Sequence, residues 1–202
     1  MNMKRKNNKL MFVISVLLIV VLGAFSTANA TTYRNCSGSE CPKTPCGTTV
    51  NASILTSSDW TTLQKLNIKY VLETDFYPAE AIGEATKVYN CHAWAWNGSS
   101  TSVWINDPAN YIDSYKPNAL NGNILTYWSC LTDPDSLYPT HSAVDLTSPP
   151  YTAESKWGNG CLMRHDWDNV PDGTMGYADY GEVHNYYISA TPCCGGNIDS
   201  CD

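Results

Sequence analysis

The sequence predicts an α+β domain, and three stretches carry that expectation. Ser57-Ser58-Asp59 ahead of WTTLQKL supplies a polar helix start followed by apolar Leu63 and Leu66, and Asn90 ahead of CHAWAW supplies a second. HSAVDLT and YTAESKW, parted by Ser148-Pro149-Pro150, alternate as strands do.

Taken in chain order, the first element is not part of the fold. Lys4, Arg5, Lys6 and Lys9 precede LMFVISVLLIVVLGAF, and STANA then offers the small-x-small pattern Ala28-Asn29-Ala30. The expectation is a signal peptide over 1–30, a single domain over 31–202, and a secreted or periplasmic product with no membrane contact after cleavage. Four of the twelve Lys+Arg lie in that segment, leaving eight against nineteen Asp+Glu, a formal charge of −11. Phosphate backbones would repel such a surface, so nucleic acid is excluded as a partner.

All nine cysteines follow the segment: 36, 41, 46, 91, 130, 161, 193, 194 and 201. The outer ones punctuate loose Gly/Ser-rich ends and are expected to staple N- and C-terminal extensions by disulfides, as exported chains permit. An odd count leaves a thiol over. Cys91, inside an aromatic-rich segment, is the expected free one. No CxxC…CxxC or HxxxH spacing occurs, so neither a metal nor any other cofactor is expected.

Between the ends, Asn67–Leu72 alternates and reads as a short strand. AEAIGEATKVYNCHAWAW is rich in helix formers, and a helix capped by Asn90 places Cys91 at its first position, where free N–H groups favour an anion. Only the thiolate attacks carbonyls efficiently, so this is a place for a nucleophile; it is equally a place for a small buried apolar residue. The histidines are 92, 141, 165 and 184. His92 points about 100° away from Cys91 on a helix and reads as flanking. His141 opens a strand and is the better base.

YNCHAWAW, VWINDPANYIDS, THSAVDL and ESKWGNGCLMRH together resemble the papain-fold group that holds the NlpC-like and CHAP-like cell-wall cysteine peptidases and amidases, over roughly residues 80–167. The resemblance implies a papain-like domain with the Cys-bearing helix packed on an antiparallel sheet. It implies Cys91 as nucleophile, His141 as base and a third polar residue on the following strand. If Pro149-Pro150 make a two-residue connection, Asp145 pairs with Glu154, and Glu154 with Lys156 shares the face of His141. A slip of one residue substitutes Ser155 and Trp157. Glu154 is the expected third residue, with His165 and Asp145 in reserve. The function so implied is a secreted cysteine-dependent amide hydrolase with a peptide or peptidoglycan-type substrate. The alternative is a non-catalytic binding or inhibitor module on the same frame. Oligomeric state is not legible.

Overall fold

The computed structural model describes residues 30–97, 102–112, 115–117, 123–128, 139–146, 149–174 and 177–192. The elements lie within Thr32–Asp202, a unit of its own. In order they are β1 (Tyr33–Asn35), a 3-10 turn (Gly38–Glu40), β2 (Ala52–Leu55), α1 (Thr62–Asp75), β3 (Glu80–Ala81), α2 (Cys91–Asn97) and β4 (Trp104–Ile105). There follow α3 (Ala109–Ile112), β5 (Tyr115–Pro117), β6 (Ile124–Trp128), β7 (Pro139–Asp145), β8 (Ala153–Lys156), β9 (Leu162–His165) and β10 (Glu182–Pro192). The expected signal segment, His184's side chain and Cys130, Cys193, Cys194 and Cys201 fall outside the described residues. No helix among the described residues is long and apolar enough to cross a membrane.

The class is α+β. β1-β2-β4 form a three-stranded antiparallel sheet, and β3-β9-β8-β7-β6-β10-β5 a seven-stranded one, also antiparallel. Helix α2 packs on β7 and β8 of the larger sheet and against β4 of the smaller. Ala93 and Trp96 of α2 meet Val50, Ala52, Ile105 and Ile124 in one core cluster. The opposite face of the large sheet carries Leu125, Tyr127, Ala143 and Ala153.

Helix α1 corrects two expectations. Its cap is Thr61, whose hydroxyl accepts from the N–H of Gln64 while the Gln64 side chain accepts from the N–H of Thr61. This reciprocal box satisfies two otherwise free donors, so the helix starts there and not at Ser57–Asp59. Asp59 instead binds the Thr86 hydroxyl and the Lys87 N–H, both at 2.8 Å. The expected strand Asn67–Leu72 lies inside α1. Ile68 and Leu72, four apart, pack with Phe76 against Trp157, Cys161 and Met163, and the helical period wins over the alternation.

Candidate active site

Asn90 is buried and ends the approach to α2. Its Oδ1 accepts from the N–H of Ala93 at 3.1 Å, the third helical residue, and from the N–H of Ile105 at 3.2 Å. Its Nδ2 donates to the Ile105 carbonyl at 2.7 Å. The cap read from the sequence is therefore present, and it also ties α2 to β4. Cys91 follows as the first helical residue, a free thiol that is buried.

The backbone N–H groups of Ser142, His92 and Cys91 itself lie close enough to the sulfur to favour its anion, and the Lys156 charge acts the same way. Burial outweighs them and pushes the Cys91 thiol up to about 11. The resting group is a neutral thiol, not the thiolate that a helix start alone suggests.

Two histidines sit in matching arrangements on opposite faces of the sheet. The Ser142 hydroxyl lies 2.8 Å from His92 Nδ1 and accepts from Trp96 Nε1 at 3.0 Å. The Ser155 hydroxyl lies 2.7 Å from His165 Nε2 and accepts from Trp157 Nε1 at 3.1 Å. His165 Nδ1 is 2.7 Å from the Asp166 carbonyl, which can only accept, so Nδ1 carries the proton and Nε2 accepts from Ser155. Burial lowers both His92 and His165 to about 4, so both rings are neutral.

His141 opens no such pair. It is fully buried, stacked on Tyr180 at 4.0 Å between ring centroids and edge-on to Tyr127 at 5.0 Å. Among the described residues neither ring nitrogen has a hydrogen-bond partner. Burial holds it well below the usual histidine value, and the nearby imidazoles of His165 and His92 push the same way. Its strand neighbour Ser142 points to α2, so His141 alternates to the face of Tyr127 and Ala143.

The strand register decides the third position. Val144 pairs with Glu154 and Asp145 with Ala153. The connection runs from Leu146, whose N–H donates to the Thr152 carbonyl at 2.9 Å, and is longer than two residues. The expected Asp145–Glu154 pairing is therefore corrected by one residue. Ser155 and Trp157 share the face of His141, while Glu154 and Lys156 take the other. Glu154 pairs with Arg164 at 3.2 Å and is not positioned to orient His141. Of the two reserves, His165 stands on the same face as His141, whereas Asp145 lies four residues along β7.

Two cysteines among the described residues are free, Cys91 and Cys161, where only the first was expected. Cys36 and Cys41 are bridged, and Cys46 is disulfide-bonded too. No three His, Cys, Asp or Glu side chains among the described residues gather as a metal site. Lys156, expected beside Glu154 on the face of His141, stands on the opposite face and is fully buried. Nothing local in the sequence marks a lysine as interior. No family model, no curated protein and no solved structure matches the chain.

Proposed function

We propose that the chain is an exported, cysteine-dependent amide hydrolase on a papain-like frame, with peptide of the cell-wall type as substrate. The observation that carries this reading is Cys91: a free thiol at the first position of an Asn90-capped helix, where backbone N–H groups of α2 and of Ser142 favour its anion. Such donors stabilise negative charge on sulfur before attack and on oxygen after it. His141 is the proposed base: its ring is held neutral, so one nitrogen keeps a lone pair that can take a proton, and no hydrogen bond occupies either nitrogen.

In the reaction, Sγ of Cys91 bonds to the carbonyl carbon as its proton passes to His141. The C–N bond then breaks as His141 returns that proton to the leaving amine, giving a thioester. Water, deprotonated by the same imidazole, cleaves the thioester and restores the thiol. Because thiol and imidazole both rest neutral, the step begins by base catalysis and not from a standing ion pair.

The test is mass analysis of the purified chain incubated with cell-wall peptides. An acyl adduct on Cys91 and released amine are expected, with no adduct in Cys91→Ala and a rate lowered about 10²- to 10⁴-fold in His141→Asn. A second reading, a binding or inhibitor module without turnover, is favoured by His141, which alternates to the sheet face away from α2, and by a Cys91 that is only 6% exposed. Neither adduct nor amine, with Cys91 intact, would establish it.

A further inference from the structure

Helix α1 is apolar on two opposite faces, and the fold covers one of them. Ile68 and Leu72, with Phe76 at the helix end, turn inward to Trp157, Cys161 and Met163. Leu63, Leu66 and Tyr70, spaced three and four, fall on the reverse side, since each helical residue advances about 100° around the axis. Leu63 and Leu66 are 60% exposed, Tyr70 71% and Tyr77, just past the helix, 83%, with Val71 on the shoulder of the stripe at 43%. Among the described residues these are all of the large hydrophobic side chains left exposed, so the open apolar surface gathers on a single element. Scattered exposed leucines are ordinary, but a gathered set rimmed by polar residues marks an interface.

Charge says what kind of surface covers it. Lys65 binds Asp59 and Glu84, and Lys69 binds Glu73, so both cations of α1 are answered within the chain. Asn67 and Thr74, which share the stripe with the apolar residues, are uncharged and exposed. A helix that lies on a membrane carries a basic polar face, which α1 lacks. A basic protein would be drawn to the acidic excess of the chain, nineteen Asp+Glu against twelve Lys+Arg, and not to an element that holds two of each sign. What fits the stripe is another helix with an uncharged apolar seam of the same three-four spacing, the pattern by which two helices interlock at about 20°. A second copy of the chain brings that seam by symmetry.

We infer that α1 is a homodimer interface, in which two chains related by a two-fold axis pack Leu63, Leu66 and Tyr70 of one against the same seam of the other. An isologous contact needs one self-complementary patch. On an acidic molecule the uncharged stripe is such a patch, where two copies approach without mutual repulsion. The five side chains expose about 600 Å² per chain, so pairing covers about 1,200 Å², at the lower end of specific interfaces.

Analytical ultracentrifugation of the purified chain between about 1 and 100 μM, a range that brackets a reversible dimer, tests the pairing. The parent is expected to approach twice the mass of one chain as concentration rises. Leu66→Glu combined with Tyr70→Glu sets four like charges at the seam and is expected to stay at the mass of one chain, with the far-ultraviolet circular dichroism of the parent because both positions lie outside the core. A parent that keeps the mass of one chain overturns the inference, and its flotation with phosphatidylcholine vesicles would assign the stripe to lipid instead. A double variant that still dimerises overturns it too.

Should the double variant not fold, hydroxyl-radical footprinting of the parent serves in its place. Oxidation of Leu66 and Tyr70 is expected to fall severalfold between the dilute and the concentrated sample. Unchanged oxidation of both residues where the mass has doubled would place the contact elsewhere and overturn the inference.

Discussion

Asn90 closes the N-terminus of α2 with one oxygen while the same amide pairs both backbone atoms of Ile105, so one side chain fixes the height of Cys91 and the docking of β4. Its replacement by Ala removes a cap and leaves two buried backbone groups unpaired. We expect Asn90→Ala to cost on the order of 3 kcal/mol in chemical unfolding. Asn90→Asp keeps the acceptor but not the donor, and is expected to fall between the two. This residue was legible because capping is local chemistry. Glu154 was not, because its role hung on a register the sequence leaves open. It is partnered by an Arg164 that is largely solvent-facing. Glu154→Gln is therefore expected to change stability by about 1 kcal/mol or less and to leave the pH midpoint of Cys91 alkylation in place. A midpoint displaced in Glu154→Gln would return Glu154 to the site.

Strands β7 and β8 were legible from alternation, but their pairing depended on how the chain turns between them, and proline at two successive positions gives no count. The β8–β9 turn poses a similar problem of space. A Cβ at Gly160 would stand 2.8 Å from the Trp157 carbonyl and 2.9 Å from Leu72 of α1. The carbonyl is backbone and accepts from the N–H of Gly160, so it cannot yield without opening the turn. Gly160→Ala is expected to destabilise by about 1–3 kcal/mol and to loosen α1, seen as a lower midpoint with faster hydrogen exchange at Leu72. A midpoint equal to the parent would show that the turn adjusts freely. Helix α1 itself is only partly legible, because NIKYVL fits both periods. Only the interior partners Trp157 and Met163, nearly a hundred residues away, choose the helical one.

At the scale of the whole molecule the buried titratable groups set a pH profile. His92 and His165 fall from the ordinary 6.5 to about 4 in the folded chain because burial penalises their charge, and His141 lies well below its ordinary value for the same reason. Between these values the unfolded chain binds more protons than the folded one, so the histidines' contribution to stability is complete above about pH 6.5 and is lost as pH falls toward 4. Each of the two histidines with a value near 4 contributes about 3 kcal/mol across that window, since a tenfold change in proton affinity is worth about 1.4 kcal/mol. Urea unfolding at pH 7.5, 5.5 and 4.5 is expected to show a steep decline, flattened when His165 is replaced by Gln, which removes one titration while keeping a partner for Ser155. A level profile over this range would mean that the rings are solvated when folded. On the alkaline side two groups oppose each other. Lys156, lowered to about 7, makes stability rise with pH up to its ordinary 10.5, while Cys91, raised to about 11, makes it fall above its ordinary 9. Their slopes have opposite sign where they overlap, so the alkaline limb is expected to be shallow in the parent. It should steepen downward in Lys156→Met, where only the thiol is left to titrate.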